Sequence, residues 1–597
     1  MDGDAEKKSE AAAWDRPPAN GSEPQDPRPD TNITSAEAGM GEPKPKPKPD
    51  ADTQTGETTA PESLGDELDL SSPPLPKLRY SLLMTGLGCG LFLAMLDTSI
   101  VATSLHTIAA EFQDLERINW VPLAYTLTFL SCAVLFARIS DVVGRRAAFL
   151  SAYIIFIVFS LACGWAKSLD QLVAFRALQG IGGSGLYSIT MIVMPELTPD
   201  EKKKIIAGIV GIVLATAGVL GPVLGGVLTH GPIGGVSAIL FYLSWPEKKY
   251  LPPLERRLWR EVDFLGSFLL VASAVLIVFS FQNSGSEGGT WGEAVFIGPL
   301  VTGVASLVAL FAWQFYLERR WGDKMAAAIP LALLRNKAFT AGMLTTMAAG
   351  FPYMLSLYVF PIRFQIVNGK SALDAGLMLL PMLAATAVGS ALGGVFNDKK
   401  NRLAETMVAA CIMMIIGCAL ETTASSDPGL EPKVLGFLVF IGLGFGLSAT
   451  GSTMLAATES TIQEHASAQG LVAQVRILGG SIGIAASSAI LGVKSKAAVE
   501  AGAVSASQLS HVSSEAASVS PEQWAVIRGV YTDTLKEGMT VGCIVLAAGV
   551  VASLFVYSRS RVPIEEKFRQ RYREEAERRQ RTAAKPESPH VPAKAVV

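Results

Sequence analysis

The chain has 597 residues, of which half are hydrophobic and 17% are charged, with a formal net charge of −3. So low a charged fraction lies well below that of soluble domains, and the apolar residues gather into runs of about 20, each long enough to cross a bilayer core. A soluble globular fold is thereby excluded, the fold class is all-α polytopic membrane protein, and no nucleic-acid partner is expected.

Residues 1–76 open the chain as a tail. They hold 17 Asp/Glu against 7 Lys/Arg, a net of −10, and 13 of the 33 prolines. Such a segment cannot bury enough apolar surface to fold alone, and its Lys-Pro run from Lys44 to Pro49 favours extended backbone. The remainder of the chain carries +7. No apolar segment precedes the first span, so no cleavable signal peptide is expected.

Fourteen spans follow, at about 80–104, 120–139, 147–166, 171–194, 205–229, 231–246, 264–282, 294–317, 338–360, 374–396, 404–422, 434–456, 468–492 and 539–557. Basic clusters recur in alternate loops, at Arg145/Arg146, Lys202–Lys204, Lys248/Lys249, Arg319/Arg320 and Lys399/Lys400/Arg402, and in both flanks of the spanning region. Lys/Arg excess marks cytosolic loops, so both termini are expected in the cytosol. The expected organisation is a disordered tail at 1–76, a six-helix half at 77–246, a linker with two extra spans at 247–330, a second six-helix half at 331–558 with a long extracytosolic loop at 493–538, and a basic tail at 559–597. An internal repeat supports two equivalent halves: Ala137-x3-Asp141-x3-Arg145 follows span 2, and Gly394-x3-Asp398-x3-Arg402 follows span 10. Repeated halves are a common transporter plan.

Three charged residues lie well inside apolar runs: Asp97 in span 1, Arg176 in span 4 and Arg476 in span 13. An ionisable group within a membrane span is a functional candidate by default. Leaving water favours the neutral form of a carboxylic acid, which suits reversible proton binding. At 1.5 Å rise per residue, Asp97 sits about 10 Å and Arg176 about 8 Å from the outer ends of their spans, at matching depth. Arg476 could meet an anionic group, a carboxylate or backbone carbonyls. Tyr353, Phe360 and Met378 are candidate cavity liners, although periodicity does not separate a cavity face from a lipid face. The run Gly208–Gly226 is apolar and rich in residues a soluble helix avoids, with Pro222 between Gly221 and Gly225. Small residues four apart allow close helix approach, and a proline kinks or loosens the ladder.

These motifs together resemble the fourteen-spanner drug:proton antiporter branch of the major facilitator superfamily, over about 80–558. Gly208, Ala217, Gly221, Pro222, Gly225 and Gly226 fall at the spacing of that branch's span-5 antiporter motif, with Ala217 where glycine is usual. Ala137–Arg146 resembles the loop 2–3 signature, in which Asp141, Gly144, Arg145 and Arg146 match and Ala137 and Val142 depart. The resemblance implies a cytosolic gate at these residues and at their repeat, Asp398 and Arg402. Leu96-Asp97-Thr98-Ser99-Ile100-Val101 resembles the span-1 motif, with Ser99 at the usual threonine. Arg176-Ala177-Leu178-Gln179-Gly180 resembles the span-4 motif. In that fold spans 1 and 4 line one cavity, so Asp97 and Arg176 are expected to form a proton- and substrate-responsive pair. One departure stands out: only 42 residues separate Lys204 from Glu247, and about a dozen residues usual between spans 5 and 6 are missing.

The resemblance implies a monomeric plasma-membrane antiporter that exports an amphipathic organic molecule, such as a drug or fungal secondary metabolite, in exchange for protons. Alternatives are a siderophore or basic-amino-acid carrier, with a vacuolar location, or a transport-inactive sensor. No enzyme is expected, since His106, His230 and His465 each stand alone near spans. Gly180-x-Gly182-x2-Gly185 has the form of a dinucleotide fingerprint but neither the strand nor the βαβ context. The six cysteines all fall in apolar runs and read as packing residues. No cofactor and no metal are expected.

Overall fold

The structure is a computed structural model. It describes residues 75–577 except 113–119, 199–205, most of 207–237, 247–258, 287–291, 322–324, 326, 398–399, 462–463, 506–507, 509–518, 558–561 and scattered positions beyond 564. Twelve described helices are long and apolar enough to cross a membrane. They are α1 (Lys77–Phe112), α2 (Trp120–Val143), α3 (Arg145–Cys163), α4 (Leu169–Leu197), α5 (Phe264–Ser286), α6 (Ala294–Trp321), α7 (Lys337–Ile366), α8 (Leu380–Phe396, which spans together with the short helix Ala372–Leu377 before it), α9 (Leu403–Glu421), α10 (Pro432–Glu459), α11 (His465–Glu500) and α12 (Pro521–Leu554). In order, they correspond to expected spans 1–4 and 7–14. Spans 5 and 6 fall largely outside the described residues, as does their short junction. The described positions between 206 and 221, and 238–244, are helical.

The segment 493–538, expected as a loop, is helical at both ends. α11 runs on to Glu500 and stops where Gly502 takes a left-handed φ of 68°. There Gly502 N donates to Val499 O at 2.9 Å and Ala503 N to Ala498 O at 3.2 Å, the paired bonds of a Schellman ending. α12 starts early because Ser520 and Gln523 form a reciprocal capping box with Pro521 between them at the first helical position. Both signals are local and polar, so a reading of apolar runs passes over them.

The first four helices enclose one core, built on Leu83, Leu87, Phe129, Phe149, Tyr153 and Phe156, which also takes in Phe241. The C-terminal core joins Phe351, Phe360, Met382, Met414, Cys418 and Leu535. Phe360 is therefore core, and Met378 packs against the same cluster. All six cysteines are free. Small residues bring the C-terminal helices into backbone contact. A Cβ on Gly350 would meet the carbonyl of Arg476, and one on Gly479 or Gly483 would meet those of Met347 or Phe351, so α7 and α11 approach closely. In a membrane, where lipid is as apolar as leucine, such close packing is a main source of helix association.

The linker helices are arranged differently. α5 packs on α2 and α11 as well as on α6, whereas α6 presents Val301, Val304, Val308, Phe311 and Phe315 outward. At their joint Asp263, buried, accepts from Gly266 N at 2.7 Å, Trp313 Nε1 at 2.8 Å, Gln314 Nε2 at 2.6 Å and Ala328 N at 3.2 Å. One carboxylate thus ties the start of α5, the end of α6 and the strand of chain leading to α7. Asp263→Ala leaves several buried donors unpaired, at a cost on the order of 3 kcal/mol. It should clearly lower the thermal unfolding midpoint of the purified protein. Glu318→Gln, at the exposed Glu318–Arg335 pair, should scarcely move it, since such pairs contribute little.

Candidate functional site

The structure brings Asp97 and Arg176 together. Both are 4% exposed, and Nη1 of Arg176 donates to Oδ2 of Asp97 at 2.7 Å and to Oδ1 at 2.9 Å. Gln179, one turn beyond Arg176 on α4, closes the group: its Nε2 donates to Asp97 Oδ1 at 3.0 Å and its Oε1 accepts from Arg176 Nη1 at 2.8 Å. Beneath the guanidinium lies the Tyr125 ring of α2, with Arg176 Cζ 4.6 Å from its centroid. The Tyr125 hydroxyl donates to Ala94 O at 2.9 Å, which fixes the ring one turn from Asp97. The carboxylate accepts throughout and donates nowhere in this set, the pattern of the ionised form. Such a buried pair leans on its further hydrogen bonds to offset the loss of water, and here Gln179 supplies them while the Nε of Arg176 is buried without an acceptor among the described residues. Gly180 keeps α4 close to α2, because a Cβ there would overlap Thr128 and the Tyr125 carbonyl.

Arg476 of α11 lies elsewhere and meets no carboxylate among the contacts described. Its Nη2 donates to Ser452 Oγ at 2.8 Å and Ala449 O at 3.3 Å, its Nε to Thr346 Oγ1 at 3.4 Å, and its Nη1 to the Tyr187 hydroxyl at 3.3 Å. Tyr187 belongs to α4, so this guanidinium joins the two halves. Within the C-terminal core, Tyr353 of α7 and Phe445 of α10 stack face to face, with centroids 3.6 Å apart. Tyr358, also on α7, lies close enough to Asp97 and Arg176 to feel both charges.

At one end of α2 the loop to α3 forms a compact charged node. Arg145 Nη1 donates to Asp141 Oδ1 at 2.6 Å, while its Nη2 and Nε reach the two carboxylate oxygens of Glu196 at 3.0 and 3.3 Å. Arg138 stands 3.9 Å from Asp141 and donates to the carbonyl of Ala327, tying α2 to the linker. Arg146 stacks on Tyr242 at 4.1 Å and donates to its carbonyl. Gly144 precedes α3 at φ 93°, ψ 146°, a conformation that only glycine adopts without strain. Ala137 and Val134 rest against Gly470 of α11, so the halves also meet here.

Comparison with known proteins gives the family. The sequence profile described as Major Facilitator Superfamily matches residues 87–484. The chain belongs to the Major Facilitator Superfamily. It is 29% identical over 503 residues to an MFS-type transporter, FPY5, of Fusarium mangiferae, covering 81% of this chain and 84% of that protein. It is 30% identical over 446 residues to the efflux pump FUS6 of Gibberella fujikuroi, covering 71% and 78%. Among solved structures it resembles a bacterial homologue of the human lysosomal transporter Spinster in an inward-facing, occupied conformation, with a TM-score of 0.52 at 15% identity, over 81% of this chain and all of that one. The protein is thus a multi-pass membrane transporter and not an enzyme.

Of the facilitator motifs, Gly208, Pro222, Gly225, Gly226 and Asp398 lie outside the described residues, while Gly221 and Ala217 are helical and buried. Arg402 differs from its repeat partner. Its side chain is exposed, and its N–H donates to Asn397 Oδ1 at 3.0 Å; buried Asn397 orders that loop by donating to Gly393 O and Thr406 Oγ1. Sequence reading assigns no role to three partners. Gln179 was legible at the i+3 position from Arg176, Glu196 as a carboxylate ending an apolar run, and Tyr125 carried no signal. Gly144→Val forces a branched side chain into the glycine-only region and should cost about 1–3 kcal/mol. The expected result is reduced folded yield and a lower unfolding midpoint. Wild-type behaviour in both would show that the loop relaxes freely.

Proposed function

We propose that this facilitator is a proton-driven exporter of amphipathic organic molecules, of the drug or secondary-metabolite type, working at the plasma membrane with both termini in the cytosol. The reading rests chiefly on the buried Asp97–Arg176–Gln179 group. It is the one described intramembrane carboxylate–guanidinium pair of span 1 and span 4, at the depth where two halves of a facilitator would alternate access. Relatives named as efflux pumps support the direction of transport.

In this reading Asp97 is the proton site. While ionised, it holds Arg176 and Gln179 and so fastens α1 to α4. Protonation removes the charge from one partner of a buried pair, which weakens the contact and leaves Arg176 without its counter-ion. The guanidinium is then available to another acceptor or to a polar group of the substrate. Arg476, held between the halves by Tyr187, Ser452 and Thr346, positions α11 against α4. The node of Asp141, Arg145 and Glu196 acts as the cytosolic latch, made and broken as the halves rock.

The test is cellular accumulation of fluorescent amphipaths and natural toxins in a host stripped of its own pumps, with and without a protonophore. Wild-type protein should lower accumulation, and the protonophore should reverse the effect. Asp97→Asn, which keeps the shape and loses the titratable group, should reach the cell surface and abolish export. Arg176→Lys keeps the charge but loses the planar fork, and should export partially. Full export by Asp97→Asn would remove Asp97 from the coupling role. No change by verified surface protein across the panel would favour a narrower cargo or the carrier reading.

A further inference from the structure

Glu421 is the last residue of α9 and is fully buried. Neither of its carboxyl oxygens has a hydrogen-bond donor among the described residues. Its place at a helix C-terminus adds the unfavourable end of the helix dipole to any negative charge there. An ionised carboxylate under these conditions would carry a large desolvation penalty with no compensation, whereas the neutral acid would not.

The charged groups around it are few. Arg363, from α7, is 2% exposed and spends its terminal nitrogens elsewhere. Nη2 donates to Ser425 O at 2.8 Å and Nη1 to Asn368 Oδ1 at 3.4 Å, while its Nε is buried with no acceptor among the described residues. Glu431, at the head of α10, accepts from Ser425 N at 3.0 Å and pairs with Lys433 at 3.0 Å. The Ser425 N–H, and then Lys433, hold the Glu431 carboxyl below its ordinary range, so a second negative charge already occupies this end of the C-terminal half. From α12, Cys543 lies beside Cys418, one turn before Glu421. Asp533 and Glu537 on α12 are exposed, Glu537 being paired with Lys494, and Lys536 is half-buried.

We infer that Glu421 is a proton-binding site of the C-terminal half, occupied in this conformation and emptied when Arg363 turns from the Ser425 carbonyl to pair with it. The site lies in the opposite half from Asp97 and does not depend on Asp97 driving export. Arg363 anchors the 422–431 connection through Ser425, so loss of the proton would loosen that connection from α7.

The test is infrared titration of the purified full-length protein in lipid nanodiscs. At about pH 7, where ordinary carboxylates are ionised, the wild type should retain a protonated-carboxyl C=O band. Glu421→Gln should lose it and Asp97→Asn should keep it. An identical band in folded Glu421→Gln would overturn the assignment. If that variant does not fold, Glu421→Asp should shift the band or its titration, and an unchanged band would likewise overturn it. Arg363→Met removes the cation that favours ionisation, so the band should persist to higher pH than in wild type. An unchanged titration would dismiss Arg363 as the partner.

Discussion

A charge inside a membrane must be paired or neutral, and this constraint organises the protein. Asp97 and Arg176 satisfy it by pairing, at 2.7 Å, with Gln179 hydrogen-bonded to both. Arg476 satisfies it with hydroxyls and a carbonyl. Asp263 satisfies it without a cation, through backbone and side-chain donors. Each solution joins separate helices, so the polar groups also specify which helices meet. Apolar contact alone would do this poorly, because lipid competes equally for an apolar face.

These solutions differ in how they respond to a proton. The Asp97 group is a pair whose attraction vanishes on protonation, so it lends itself to switching. The Asp263 cluster holds two helices and one connecting segment at once and has no opposing charge to release, which suits a fixed joint between α5, α6 and the chain leading to α7. The Arg145 node shares one guanidinium between Asp141 and Glu196, two carboxylates on different helices, an arrangement that can be broken as a unit when the helices separate. Among the described residues of the matching loop in the second half, Asn397 orders the backbone and Arg402 faces out.

Much of this was legible beforehand, for physical reasons. Spans are long apolar runs, and twelve of the expected fourteen appear in order among the described residues. Asp97 and Arg176 stood out because charges in such runs are rare, and their common depth followed from helical rise. Helix ends were less legible: the capping box at Ser520 and the Gly502 ending depend on a few polar residues, and they lengthen α11 and α12 beyond their apolar stretches. Contacts made through rings or across distant segments, such as Tyr125 under Arg176 or Arg138 on the Ala327 carbonyl, have no periodic signature at all. Glu421 falls at the end of the expected span 404–422, where a carboxyl can reach either water or the core, so its burial has no signature in the sequence.

The central claim is that the Asp97 group exchanges a proton for substrate. Its most direct test is proton release on substrate binding, read by a pH dye in lightly buffered solutions of the purified protein. The account predicts release from the wild type when an exported amphipath is added, and none from folded Asp97→Asn. Equal release from both, or none from a wild type that demonstrably binds the compound, would contradict it.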